Sequence, residues 1–455
     1  PPSEGAPGDV AADTEAPAAP VRPVLRRPSI WYAVAVAIVI VVGAMALDRI
    51  IDPPPPPPPG PEIVLPERPS IAVLPFENLS GDPTQDAFID GITEGITTAL
   101  SIVSDMFVIA RNSVLTYKDK PVKVQQVAKE LGVRYVLEGS VQRVGEKVRI
   151  SAQLIDAVEG HHLWADRYDR EVEDIFAMQD EITLEIITAL QVEMTEGEQE
   201  RVSLVHGTDN LEAWVVAGQA RLLLRRLTRE DNAKARELYQ QATELDPEYP
   251  GAWDGLAWTY LIDARFGWSV SREASVLRSA ELVQKTLTLD PARPRTYALL
   301  GTIKLVSGAH AEAVALGEQA VALSPNGADV AALLAYTMTY TGDEEGAIAM
   351  IEKAMRLSPS YPQWYRWVLG RAYRLAGRYR EAIGALEVRL PDSPDSLSFR
   401  VELVACYVEA GEMAKARKEA AEVIRLEPGF SARAWTLAPP HADPEATEDE
   451  FELLR

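Results

Sequence analysis

Two adjacent histidines, His161 and His162, are by type the best candidates in this sequence to hold a metal ion. Neighbours on an extended strand point to opposite faces, so the pair cannot close on one ion, and no cysteine lies near to complete a site. His206, His310 and His441 are isolated in sequence, and neither G-x-S-x-G nor H-E-x-x-H occurs. Nucleophilic and zinc-dependent hydrolysis therefore lack a constellation. The stretch SIAVLPFENLSGDP, Ser70 to Pro83, has the outline of a nucleotide site: an apolar run, a glycine-containing loop, then a helical pattern. Its loop carries one glycine, no lysine, and Glu77, Asp82 and Asp86 where an anion would sit. Neither the Walker A nor the dinucleotide spacing is present, so Asp82 and Pro83 are expected to turn the chain and start a helix. Carboxylate pairs such as Glu344-Glu345 fall at expected helix starts, where they complement the dipole. No catalytic residue, cofactor or metal is expected in this chain.

Composition narrows the remaining classes. At 455 residues and 47% hydrophobic, the chain has material for two or three packed cores. A formal net charge of -23 excludes a phosphate-neutralising surface, so no nucleic acid is expected as a partner of these residues. The single cysteine, Cys406, rules out a disulfide framework and a thiolate metal site.

The elements that would position a functional surface come in a clear order. Residues 1–29 are rich in Pro, Ala and Glu without periodicity and read as a disordered tether. The first residue is Pro, so a native start further upstream is expected. Ile30 to Leu47, IWYAVAVAIVIVVGAMAL, is an uncharged 18-residue run at the short end of what spans a bilayer. Arg22, Arg26 and Arg27 precede it, which places the N-terminal side in the cytoplasm and everything after Asp52 on the extracytoplasmic side of an inner membrane. Ala44-Met45-Ala46 matches a signal-peptide cleavage pattern, but the long acidic segment before the run favours an uncleaved anchor. Residues 48–68 contain seven consecutive prolines, Pro53 to Pro59, an extended spacer off the membrane.

From Pro69 to Arg201 the hydrophobic period switches repeatedly. IAVLPF reads as a buried strand, Asp86 to Val103 as an amphipathic helix, MFVIAR as a strand, and Val122 to Leu131 as a helix ended by Gly132. VRYVLEGSVQRV and KVRISAQLIDA flank the turn Gly145-Glu146, HHLWADRYD follows as a strand, and a helix over Glu173 to Met194 closes the unit. The expected fold is an α/β domain, a mixed sheet with packed helices.

PSIAVLPFENLSGDP, DGITEGITTAL, FVIARNS, VAKELGVRYVLEGSVQR, VRISAQLIDA and HLWADRYDR together resemble the TolB amino-terminal-type domain in its cyclase-associated form. The resemblance covers Pro69 to Leu190. It implies an upstream class III adenylate or guanylate cyclase domain, or a winged-helix DNA-binding domain, then a membrane span and downstream helical repeats. Any cyclase activity would lie before Pro1.

The repeats follow. Pro325, Pro359, Pro394 and Pro428 are spaced by 34, 35 and 34; Gly308, Gly342, Gly377 and Gly411 keep that period, as do Ala313, Ala347, Ala382 and Ala416. The period resembles the tetratricopeptide repeat. Glycine permits the left-handed turn between paired helices, alanine their close approach, and proline stops the second helix. Six repeats are expected over 211–428, an all-α solenoid, then a capping helix and acidic tail over 429–455.

The resemblance implies a concave groove lined by first-helix positions. Those positions are Trp258, Arg295, Tyr336, Tyr340, Trp364, Trp367, Arg371 and Arg374, types that dominate interface energetics. An acidic or aromatic protein segment is the expected ligand. The sequence thus points to a membrane-anchored interaction and sensory region, the non-catalytic part of a cyclase-like signalling protein; a homodimer is allowed. An envelope assembly scaffold without an enzyme and a membrane-tethered winged-helix transcription regulator remain as alternatives.

Overall fold

The computed structural model describes residues 65–203, 205–388, 396–436 and 439–455. The tether, the transmembrane helix and nearly all of the proline-rich spacer expected from sequence lie outside the described residues. Among the described residues no helix is long and apolar enough to cross a membrane.

The α/β region begins with β1 (Ser70–Val73) and β2 (Glu77–Asn78), then α1 (Asp86–Ile102), β3 (Phe107–Val108), α2 (Arg111–Val114) and α3 (Val124–Leu131). It continues with β4 (Tyr135–Val144), β5 (Lys147–Asp156), β6 (His161–Glu171), α4 (Ile175–Ala189) and α5 (Glu196–Ser203). The sheet order is β3-β1-β4-β5-β6, with β2 also on β4. β1 runs parallel to both neighbours, whereas β4, β5 and β6 are antiparallel, so the sheet is mixed.

Alternation along β1 explains the two helical layers, because successive side chains face opposite sides of a sheet. Ile71 and Val73 join Phe88, Ile92 and Ile96 of α1 and Ile182 of α4 on one face. Ala72 and Leu74 join Val127, Ala128 and Leu131 of α3 on the other. The expected strand MFVIAR is reduced to two residues for a local reason. Ile109 N still donates to Ile71 O, but Ala110 N donates to Leu357 O of the repeats at 2.7 Å, which draws the chain off the sheet. The expected helix over Glu173 to Met194 is also shorter, ending where Gln191 takes φ 54. α5, absent from the sequence reading, is polar; Glu198 buries its carboxylate against the amides of Ser104 and Thr195.

Six helix pairs follow among the described residues: α6 (Leu211–Leu224) with α7 (Arg229–Leu245), α8 (Pro250–Phe266) with α9 (Arg272–Leu289), and α10 (Pro294–Val306) with α11 (His310–Leu323). α12 (Ala328–Met338) pairs with α13 (Glu344–Leu357), α14 (Gln363–Leu375) with α15 (Tyr379–Glu387), and α16 (Leu397–Glu409) with α17 (Met413–Leu426). The four periodic glycines take φ between 73 and 78, the left-handed turn that L side chains resist. Ala313, Ala347, Ala382 and Ala416 are buried where paired helices meet. The α/β core runs on into Trp214, Tyr239 and Tyr249 of the first pairs, so sheet and repeats share one apolar interior.

Within residues 429–455 a short helix begins near Ser431, as expected, but the acidic stretch is not a plain tail. α18 (Ala432–Thr436) spans five residues, and the acidic stretch forms a helix of its own, α19 (Pro444–Leu454). Asp443 Oδ1 accepts from Glu445 N at 2.9 Å, and Pro444 occupies the first turn, a strong helix start.

Candidate protein-binding groove

The groove is built on α14. Trp367, Arg371 and Arg374 fall at i, i+4 and i+7, which places them on one helical face. Tyr336 on α12 and Tyr340 just after it lie alongside: Tyr336 is edge-on to Tyr340 at 5.3 Å between centroids, and 5.9 Å from Trp367. The Arg371 guanidinium stacks over Tyr340 at 4.5 Å. From the opposite side α16 presents Glu402 and Glu409 to Arg374.

The chain itself fills this groove. Arg371 Nη1 donates to Glu450 Oε1 at 2.6 Å and Nη2 to Oε2 at 3.0 Å, a two-bond fork, while Arg374 Nη2 reaches Oε1 at 3.2 Å. His441 Nε2 lies 2.6 Å from Glu450 Oε2 and donates to it, so its 3.0 Å approach to Arg371 Nη2 is a contact rather than a second hydrogen bond. Ala442 N donates to Tyr340 O at 2.7 Å, and His310 Nε2 donates to Pro440 O at 2.9 Å. His310 and His441, isolated in sequence, thus both hold the 439–455 segment.

The electrostatics are those of a buried, balanced cluster. Arg371 is 1% exposed and Glu450 7%. Burial alone would raise the Glu450 carboxyl, but Arg371, the His441 hydrogen bond and Arg374 outweigh it and hold it well below the ordinary carboxylate range. Burial lifts Glu409 above its usual value despite Arg374. Arg371 and Arg374 both face the carboxyls of Glu402 and Glu450. Without Glu450 the groove would hold an uncompensated buried cation, which gives it a demand for an acidic group.

The structure gathers five of the eight sequence candidates here: Tyr336, Tyr340, Trp367, Arg371 and Arg374. Trp258 packs against Ala298, Ala320, Val330 and Leu333, and Trp364 lies between that cluster and the one that holds Tyr336, Tyr340 and Trp367. Arg295 stacks over Trp258 at 5.4 Å and pairs with Asp254 at 3.2 Å. The sequence reading missed Glu402, His441 and Glu450. For Glu450 the available signal was the Asp443-Pro444 helix start within a stretch taken as a tail.

The other candidates have local roles. His161 and His162 are exposed on β6. Asp82 caps the short turn Pro83–Gln85, its Oδ1 accepting from Thr84 N at 2.9 Å. His206, isolated in sequence, stacks on Phe176 at 4.7 Å.

Residues 67–202 match the family model of the HilA/YgeH-like transcriptional regulator, second domain, and residues 373–438 match a tetratricopeptide repeat model. Over 233 residues the chain is 44% identical to a protein of Rhizobium meliloti (strain 1021) named "Putative adenylate cyclase 3". That match covers 51% of this chain and 40% of the relative, so the chain spans less than half of the relative's length. Among solved structures, similarity extends to a tetratricopeptide protein of Thermus thermophilus, at 20% identity over 42% of this chain and 99% of that one, TM-score 0.34. It extends also to TolB from Acinetobacter baumannii, at 16% identity over 30% and 31% of the two chains, TM-score 0.22. The tetratricopeptide character of the repeats rests on the family model together with the helix pairs and their left-handed glycine turns. The chain is a mixed α/β region followed by tetratricopeptide-type repeats, similar to part of a protein named as an adenylate cyclase.

Proposed function

We propose that this chain is the interaction and regulatory region of a single-pass membrane signalling protein of the adenylate or guanylate cyclase kind. Its catalytic domain lies outside these residues. In this reading Ile30 to Leu47 is the anchor, the prolines hold a TolB-like α/β region off the membrane on its extracytoplasmic side, and the repeats capture an acidic helical segment. The similarity to the R. meliloti protein supports the cyclase link. The observation that carries the binding assignment is the fork between Arg371 and Glu450, an acidic helix seated in the groove by its own chain. A partner presenting a carboxylate on a short helix would compete with α19 for Arg371 and Arg374.

The test is binding in trans. A fluorescent peptide of residues 439–455 is titrated into the full Glu450→Gln chain in detergent. Saturable binding is expected, weakened at least about tenfold when the peptide carries Gln in place of Glu450, or when the chain also carries Arg371→Ala. Equal binding in all three cases would move the site elsewhere. Alkaline phosphatase fused after Arg68 checks the topology: activity is expected, and its absence would put the repeats in the cytoplasm.

A further inference from the structure

A second site lies between the α/β region and the repeats, away from the Glu450 cluster. A cavity of about 310 Å³ opens among α1, α2 and the starts of α8, α10 and α12. Its wall carries Arg111, Arg201, Arg221, Arg293 and Arg295 against Glu94, Asp254, Asp290 and Asp329. Arginines outnumber carboxylates there, the reverse of a chain with 68 acidic and 45 basic residues.

Arg221 pairs with Glu94, Arg293 with Asp290 and Arg295 with Asp254, yet these pairings leave polar atoms of the wall unmet. Of the eleven buried side-chain atoms without a hydrogen-bond partner among the described residues, five belong to it: Arg111 Nη1, Arg201 Nε, Arg293 Nε, His206 Nδ1 and Gln179 Oε1. Arg111 is 7% exposed and Gln179 2%. The ion pairs of Arg111 are long, 3.5 Å to Asp90 and 3.8 Å to Glu94. Buried polar groups are normally paired, and five unmet at one cavity point to a group the cavity is shaped to receive. The three helix starts act in the same direction. α8, α10 and α12 lack a side-chain cap, and Gly251, Arg295 and Asp329 of their first turns line the cavity, so uncapped helix ends with their positive dipoles face it.

We propose that this cavity binds a small organic oxyanion, a carboxylate or phosphate ester that also carries an O–H or N–H. The arginine donors and helix starts meet its oxygens, and the ligand's own donor meets Gln179 Oε1. The volume fits the lower end of small-molecule sites, about 300–1,000 Å³. Because the walls come from both the α/β region and the repeats, occupancy favours the docked arrangement of the two. The site stands independently of the groove.

Thermal unfolding of the full chain in detergent tests this, with glycerol 3-phosphate, inorganic phosphate, malate and succinate each compared with chloride at matched ionic strength. A saturable rise is expected with glycerol 3-phosphate or malate, and which of the two acts separates a phosphate from a carboxylate ligand. Arg111→Gln and Arg293→Gln should each raise the half-saturating concentration at least about tenfold. Arg293 is the more exposed of the two, so its variant keeps the test open should Arg111→Gln fail to fold. The absence of a saturable rise over chloride with any of the four compounds, or an unchanged half-saturation in Arg293→Gln, overturns the proposal.

Discussion

Arg371 and Glu450 stand 79 positions apart and meet in two hydrogen bonds, 2.6 and 3.0 Å long, that join α14 to α19. This fork is the polar centre of the attachment of α19, and the backbone just before the helix is held at Ala442 by Tyr340 and at Pro440 by His310. Segments attached through few contacts open locally without global unfolding. Glu450→Gln should therefore speed amide exchange of residues 444–454 at least about tenfold. Cys406, the one cysteine of the chain and fully buried, should stay slow to alkylate in that variant. Rapid alkylation would mean that the fork holds the repeats themselves.

The same cluster sets a pH dependence. The Glu450 carboxyl is depressed in the docked state, so its contribution is present above the free glutamate value of about 4.3 and is lost as pH falls through the docked value. Glu409 is raised, so its contribution has the opposite sign: it is present at low pH and fades as pH rises through its docked value. Arg371, Arg374 and Glu402 are the other charges facing this site, with His441 hydrogen-bonded to Glu450. Carbon-13 titration of labelled glutamates should show Glu450 titrating below the free glutamate value and Glu409 above it. Assignment by Glu450→Gln and Glu409→Gln checks both.

How far such features can be read from sequence depends on whether their cause is local. The turns at Gly308, Gly342, Gly377 and Gly411 are set by each residue's own backbone, and a 34-residue period displays them. The face of Trp367, Arg371 and Arg374 is likewise local, fixed by helical spacing. Glu450 is not legible in that way, because its partner lies on a helix five elements earlier and loop closure leaves no pattern in composition. β3 was read too long because its truncation depends on Leu357, some 250 residues away. The unmet arginines of the cavity depend on three helix starts and on α1 together.

The glycine turns give a graded prediction. Gly342→Ala, at φ 78 with nothing within 4 Å of the added carbon, should cost about 1–2 kcal/mol from backbone strain alone, seen as a lower melting temperature. Gly342→Asn should lose less, since Asn tolerates the left-handed region. An equal loss in both would indicate a packing cause.

Gly255 on α8 tests close approach instead of backbone strain. A carbon added there would meet Tyr239 Cε1 of α7 at 2.1 Å, so one helix or the ring must move. Gly255→Ala should destabilise by about 1–3 kcal/mol, and Tyr239→Leu in the same chain should recover part of that loss. Tyr239 also walls the oxyanion cavity, so the single variant should weaken glycerol 3-phosphate or malate binding as well. Additive losses in the double variant would show that the two residues do not constrain one another.

Glu94 of α1 is the charge that ties the α/β region to the repeats. It pairs with Arg221 at 3.1 Å and Arg225 at 2.9 Å, both of the α6 segment, and with Arg111 at 3.8 Å. Burial would raise its carboxyl, yet Arg221 and Arg225 lower it below the usual value. Removing the charge takes from Arg221 and Arg225 their carboxylate partner, while Arg111 keeps Asp90; breaking a buried pair from one side costs about 3–5 kcal/mol. Glu94 retains some solvent contact, so Glu94→Gln should fall at the lower edge of that range, about 3 kcal/mol in urea unfolding. Asn326 supplies a separate bond between the same two regions, its Nδ2 donating to Val103 O at 2.9 Å. Asn326→Ala should cost less, about 1–2 kcal/mol, and add to Glu94→Gln if the two contacts act independently. A Glu94→Gln chain with unchanged stability would show that the regions are held by their shared apolar interior alone.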